Sequence, residues 1–223
     1  MAAPIIAPAL TQIFNISISK AEFPSPFKLA RVIPIHKKGP KLDYTNYRPI
    51  LPITSLILER HLNLHIKAYL EFNSLFYFRQ SGFREHHSCQ TALIKIIDDW
   101  LSAINENKIA ASLFLDFSKA FDLVDTSLLI HKLKLYNIDT SWFSPYLNKR
   151  FHQTQYAGAI SDKKEVMSGV PQGSVIEPIL FLTYVNDLPL SRTSTCADIF
   201  ADVTTIGTSS HSIDTLVETL TTD

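Results

Sequence analysis

The chain has 223 residues, 46% of them hydrophobic, which suffices for one good core or a core with a small lobe and excludes a disordered tail or a fibrous repeat. Lysine plus arginine and aspartate plus glutamate each total 21, so the net charge is zero and gives no polyelectrolyte signal. That zero conceals an asymmetry: residues 1–100 carry 12 basic and 7 acidic side chains, net +5, and residues 101–223 carry 9 and 14, net −5. No apolar run reaches the ~18 residues of a membrane helix. The first residues, MAAPIIAPAL, lack the positive segment of a signal peptide. Cys89 and Cys196 are too few for a disulfide framework. These features lead us to expect a soluble intracellular protein with free thiols and no membrane partner.

Along the chain, residues 20–48 hold Lys20, Lys28, Arg31, Lys37, Lys38, Lys41 and Arg48 against only Glu22 and Asp43. Within them, Leu29 to Ile35 reads as a short strand that Pro34 keeps at a sheet edge or strand end, and Lys37-Lys38-Gly39-Pro40 reads as a turn. From Ser88, a plausible N-cap, Leu93, Ile96, Ile97, Trp100, Leu101 and Ile104 recur at helical spacing. Ala110 to Phe117 is an apolar run of strand length. A second helix runs through Leu128, Leu129, Leu133 and Tyr136, with Asn137 as a terminator, and a third starts near Pro178 and continues to Val185. Asp198 to Gly207 reads as a β-hairpin with an acid near its tip. Ile213, Leu216, Val217 and Leu220 then form one apolar helix face. Helices alternating with strands, some of them joined by hairpins, predict an α+β fold in which helices back an antiparallel or mixed sheet.

Asp116 ends a strongly apolar strand, where a carboxylate is costly unless solvated, paired or metal-bound. Asp202 stands in the same sort of place. Two aspartates on adjacent strand ends suit Mg²⁺, which prefers carboxylate oxygens and keeps waters for phosphate to replace. Such a pair is the core of two-metal phosphoryl chemistry. On spacing alone, the blander reading that both acids mark strand ends and turns stays open.

The surrounding residues decide between these readings. Leu115-Asp116-Phe117-Ser118-Lys119-Ala120-Phe121-Asp122-Leu123-Val124-Asp125 resembles the first catalytic block of the reverse transcriptases of non-LTR (LINE-like) retrotransposons. Ser168-Gly169-Val170-Pro171-Gln172-Gly173-Ser174, running on to Asn186-Asp187-Leu188, resembles that family's second block. Asn46-Tyr47-Arg48-Pro49-Ile50, Gln80-Ser81-Gly82-Phe83-Arg84 and Phe200-Ala201-Asp202 complete five blocks in the family's order. The resemblance implies a right-hand polymerase of fingers and palm, RNA-directed synthesis of DNA with Mg²⁺ (two ions), and an RNA template, a DNA primer and dNTP as partners. It makes Asp116 and Asp202 the catalytic metal ligands, joined by the backbone carbonyl of Phe117. Phe121 would lie under the sugar and exclude a 2′-hydroxyl. Arg48, with Lys37 or Lys38, would clamp the triphosphate, a task that suits a planar, permanently charged guanidinium. Gln172 and Gly173 would sit against nucleotide and template.

On this resemblance, residues 1–108 would be a basic fingers-like region and residues 109–223 an acidic palm-like region. Together they would form one domain fragment, with the phosphates meeting positive charge and the metals negative charge. Three departures from the family pattern predict weak or absent activity. Val203 replaces the second of two adjacent aspartates; since neighbouring strand residues face opposite sides, we expect Asp202 to be the acid beside Asp116. Glu177 stands where the family has glycine and would permit neither positive φ nor close backbone approach. The thumb has no sequence left after Asp223. The alternative is a non-catalytic remnant that at most binds RNA or an RNA–DNA hybrid through its basic front. Nucleus and cytoplasm are both compatible with the sequence. His86-His87-Ser88-Cys89 lacks the ligand spacing of a zinc site, and Trp142 and Tyr156 read as core or template-side aromatics.

Overall fold

The structure is a computed structural model that describes residues 3–222 apart from 37, 44–45, 51–54 and 192–193; the side chains of 3, 48–50 and 191 also lie outside the description. The chain divides into two units, each built from two separate stretches: 1–66 with 121–177, and 67–120 with 178–223. The division expected at residue 108 falls inside the second unit. The charge asymmetry survives the change of boundary. The first unit holds 14 basic and 9 acidic residues, net +5, and the second 7 and 12, net −5.

The first unit contains α1 (Ala3–Ser19), β1 (Leu29–His36), β2 (Tyr47–Ile50), most of α2 (Leu56–Phe72), α4 (Thr126–Leu135), α5 (Phe143–Leu147), β4 (Arg150–Tyr156), β5 (Ala159–Ile160) and β6 (Lys164–Val166). Its sheet runs β2-β1-β4-β5, with β6 also on β4; β1 and β4 are parallel and the other pairs antiparallel. The helix α1 has no counterpart among the sequence expectations, because Pro8 inside it removes a backbone donor and masks the pattern. Asp125 caps α4 as its Oδ1 accepts from the backbone N–H of Ser127 and Leu128 at 2.8 and 2.9 Å. Asn137, φ +56°, follows that helix.

The core of this unit is aromatic. Trp142 stacks on Tyr146 at 5.0 Å, and Phe23 meets both rings edge-on at 5.5 and 5.0 Å. The buried guanidinium of Arg150 lies 5.0 Å over Tyr146 and 5.6 Å over Phe23. Trp142 is thus a core residue, and its indole N–H donates to Ser17 Oγ at 3.0 Å. Tyr156, by contrast, is exposed.

The second unit contains α3 (Cys89–Asn105), β3 (Ile109–Asp116), α6 (Glu177–Val185, whose first residue belongs to the first unit), β7 (Cys196–Phe200), β8 (Val203–Ser210) and α7 (Ile213–Thr222). Its antiparallel sheet runs β3-β8-β7, and α3 and α7 pack on it through Ile96, Ala103 and Leu216. The predicted capping of α3 by Ser88 is a full capping box with Thr91. Ile179, Leu180, Phe181 and Leu182 of α6 are all buried, as befits a helix apolar on every side.

Candidate functional site

In the second unit, the register places Asp116, the last residue of β3, opposite Val203, the first residue of β8. Ala201 and Asp202 form the two-residue turn between β7 and β8, with Ala201 at φ +57°. The backbone N–H of Phe117 donates to the carbonyl of Asp202 at 3.4 Å, which closes the ladder beyond Asp116. Asp116, Phe117 and Asp202 therefore meet at one end of one sheet. Asp116 is exposed and Asp202 half-buried, and among the described residues neither carboxylate accepts a hydrogen bond or pairs with a cation. Two unengaged carboxylates beside a backbone carbonyl fit a hard divalent cation. No group of three or more His, Cys, Asp or Glu suited to a metal occurs among the described residues.

The geometry corrects the expectation about face alternation. Asp202 lies in a turn, where alternation does not apply. Opposite residues of an antiparallel pair project from the same face, so the residue that shares the face of Asp116 is Val203. Valine thus occupies the place from which a further acid would reach the face of Asp116.

In the first unit, residues 168–176 form a loop docked on residues 121–124. Ser168 Oγ donates to the Asp122 carbonyl at 3.0 Å, Gly169 N–H to Val124 at 2.8 Å and Val170 N–H to Phe121 at 3.0 Å. Gly169, φ +87°, has no room for a side chain: a Cβ there would stand 2.7 Å from the Asp122 carbonyl oxygen. The Gln172 amide donates to the Asp122 carboxylate. Gly173, φ +78°, donates its N–H to Glu177 Oε2 at 2.7 Å. Phe121 is half-buried.

Behind this loop lies a residue that sequence reading missed. Glu59 of α2 is fully buried and accepts from Ser55 Oγ at 2.5 Å, Ser174 Oγ at 2.7 Å and the Val175 N–H at 2.9 Å. Because the Ser174 proton goes to Glu59, the 2.7 Å contact between Ser174 and Tyr146 has the phenol as donor. Burial, reinforced by the Glu59 charge, pushes the Tyr146 phenol well above its usual range and keeps it protonated for this role. The available signal was a carboxylate within Leu56-Ile57-Leu58-Glu59, a stretch otherwise apolar.

Glu177 also differs from expectation. It is the first residue of α6 and does not adopt a positive φ, so its backbone is unstrained. The positive φ falls on Gly173 instead, and the effect of Glu177 is through its side chain, which takes the Gly173 N–H. Burial pushes this carboxyl up to about 7, the Gly173 hydrogen bond opposes the shift, and the charges of Asp122 and Glu59 add to it.

Lys38 is exposed after β1, and Arg48 belongs to β2 with its backbone opposite Ile35. The Arg48 side chain and Lys37 lie outside the described residues. The nucleotide-binding candidates Lys37, Lys38, Arg48, Phe121, Gln172 and Gly173 all belong to the basic unit, and the metal-binding candidates Asp116, Phe117 and Asp202 to the acidic one.

Residues 35–222 match the family described as reverse transcriptase (RNA-dependent DNA polymerase). Among curated proteins, the chain is 34% identical over 186 residues to the probable RNA-directed DNA polymerase from transposon X-element of Drosophila melanogaster, with 81% of this chain and 20% of that protein covered. It is 31% identical over 220 residues to the RNA-directed DNA polymerase from mobile element jockey of the same species, with 92% of this chain and 24% of that protein covered. The chain thus spans about a fifth to a quarter of the length of these relatives. Among solved structures, apo telomerase from Candida tropicalis superposes with a TM-score of 0.62 at 11% identity, over 92% of this chain and 49% of that one. Telomerase from Candida albicans in complex with a fragment of telomeric RNA gives 0.60 at 13%, over 95% and 43%. At these identities the likeness shows the α+β fold of fingers and palm.

Proposed function

Since the chain belongs to the reverse transcriptase (RNA-dependent DNA polymerase) family, we propose that it serves in metal-dependent transfer of deoxynucleotides to a primer 3′-hydroxyl on an RNA template, and that its own capacity for this step is low. Asp116, Asp202 and the Phe117 carbonyl would hold two Mg²⁺ ions. When bound, such ions activate the attacking hydroxyl and neutralise the leaving pyrophosphate. The remaining roles fall to the basic unit. Arg48 with Lys37 or Lys38 binds triphosphate, Phe121 bars a 2′-hydroxyl, and Gln172 with Gly173 orients nucleotide and template.

The observation that carries this reading is the meeting of Asp116, Phe117 and Asp202 at one sheet end, with both carboxylates unengaged among the described residues. Two features support low activity. Val203 leaves the face of Asp116 one acid short, and Glu177 occupies the Gly173 N–H. The same two features favour the alternative of a remnant that binds RNA or an RNA–DNA hybrid without copying it.

Primer extension on an RNA template with Mg²⁺ and dNTPs tests the proposal. We expect weak or no extension by the unaltered chain and a rise of about 10²-fold or more in Val203→Asp, the usual scale for one electrostatic group acting on a transition state. Robust processive synthesis by the unaltered chain would contradict the reading. Binding of RNA by Val203→Asp without any extension would favour the remnant.

A further inference from the structure

The block Gln80-Ser81-Gly82-Phe83-Arg84 has no role in the reading above, yet in the second unit it is built against the turn that carries Asp202. Arg79 and Ser81 bond to both sides of Ile199 in β7, the Ile199 N–H donating to the Arg79 carbonyl at 3.1 Å and the Ser81 N–H to the Ile199 carbonyl at 2.8 Å. Gln80, between them, is 1% exposed. Its Oε1 accepts from the backbone N–H of Gly82 at 2.7 Å and of Ala201 at 3.3 Å. Ala201 is the left-handed residue of the turn and immediately precedes Asp202.

Gly82 completes the contact by what it lacks. A Cβ on it would stand 2.2 Å from the Ala201 nitrogen and 2.8 Å from the Ala201 Cα, both backbone atoms that cannot yield without moving the turn. Gln80 holds its place at an energetic disadvantage, because its Nε2 is buried with no partner among the described residues. A residue chosen for stability alone would not leave that donor orphaned.

The segment is anchored at both ends. Arg84 grips the Glu71 carboxylate with two hydrogen bonds of 3.0 and 2.8 Å and donates to the Gln80 carbonyl at 3.2 Å. Asn186 accepts from the Tyr77 N–H at 2.7 Å and donates to the Leu75 carbonyl at 2.8 Å. Arg79 bonds Asp198 at 2.9 Å and pairs with Asp99. A strap fixed in this way can set the position of a turn more firmly than the two-residue turn could by itself.

We propose that Gln80 and Gly82 are positioning residues for Asp202, the Gln80 amide and the bare Cα of Gly82 fixing the Ala201 peptide and so the direction in which the Asp202 carboxylate leaves the turn. This rests on the reading of Asp202 as a metal ligand. Neither residue touches metal or substrate; they act through the backbone, as groups behind metal ligands commonly do.

The test is Mn²⁺ titration of the full chain, followed by electron paramagnetic resonance, with far-UV circular dichroism to confirm folding. Asp202→Asn should abolish tight Mn²⁺ binding. Gln80→Met, which keeps the bulk and loses the acceptor, and Gly82→Ala should each weaken binding by about 10-fold or more, the lower end of the effect of losing a group behind the ligands. Gln80→Glu, which keeps an oxygen for both N–H groups, should recover most of that loss. Gly207→Ala, where a Cβ would meet nothing closer than 3.8 Å, should leave binding unchanged. Should Asp202→Asn bind Mn²⁺ as the unaltered chain does, the metal-ligand reading falls. If it loses Mn²⁺ while folded Gln80→Met and Gly82→Ala bind normally, the positioning role falls and the ligand reading stands. An outcome free of variant folding comes from amide hydrogen exchange in the unaltered chain, where the Ala201 N–H is expected to be protected like a strand amide; exchange at the rate of an open turn would overturn the proposal.

Discussion

The loop of the basic unit and the turn of the acidic unit differ in their use of carboxylates. Besides its backbone bonds to residues 121–124, the loop of residues 168–176 hangs on acids: Asp122 takes the Gln172 amide, Glu59 takes Ser174 and Val175, and Glu177 takes Gly173. The turn at Ala201 and Asp202 is held by ladder bonds, a neutral glutamine oxygen and a glycine without a side chain. Around the loop, negative charge accumulates and Glu177 is pushed towards its neutral form. At the turn, carboxylates are left unengaged among the described residues. The difference fits a division of work: acids serve as scaffold for the loop proposed to meet nucleotide and template, and as ligands where metals would be bound.

The largest expected effect falls on the loop scaffold. Glu59→Leu should lower stability by about 3 kcal/mol, because buried donors left without an acceptor cost about 1–3 kcal/mol each. Urea unfolding measures it, and a loss below about 1 kcal/mol would break the claim that Glu59 holds the loop. Gly169→Ala should cost about 2 kcal/mol, since its φ of +87° and its 2.7 Å clearance both oppose a side chain. Gly207→Ala in the same assay should stay within about 0.5 kcal/mol.

A pH series sharpens the contrast. Glu177 rises from 4.5 when unfolded to about 7 when folded, so its contribution to stability is complete below pH 4.5 and is lost as pH rises through 7. Glu71, held below its ordinary value by its hydrogen bonds to Arg84, behaves oppositely: its contribution is present above 4.5 and lost as pH falls below the usual carboxylate range. Glu177→Gln should flatten the neutral limb of the stability curve and leave the acid limb unchanged. A neutral limb that persists in Glu177→Gln would show that another group titrates there. A smaller loss than those at Glu59 and Gly169 is expected for Arg84→Met, about 1 kcal/mol in urea unfolding, with the acid limb reduced and the neutral limb untouched.

Several elements were legible because their signals are local. Ser88 announces a helix start by a side chain that bonds to the amide three residues on, and the hairpin announces itself by strands on either side of an acid. The family was legible through the motifs, because the wording around Asp116 and Asp202 carries it. What stayed hidden depends on contacts distant in sequence. Glu59 and Val175 lie far apart in the chain, the pairing of Val203 with Asp116 needs the register, and both units are assembled from discontinuous stretches. Glu177 was read as a backbone lesion because glycine suggests positive φ, whereas here the left-handed residue is Gly173.

The most direct test of the acidic sheet end as a catalytic metal site is primer extension on an RNA template in the Val203→Asp background, with and without Asp116→Asn. We expect Mg²⁺-dependent extension by Val203→Asp that Asp116→Asn abolishes. Extension that survives Asp116→Asn would contradict the assignment of the metal site to this end of the sheet.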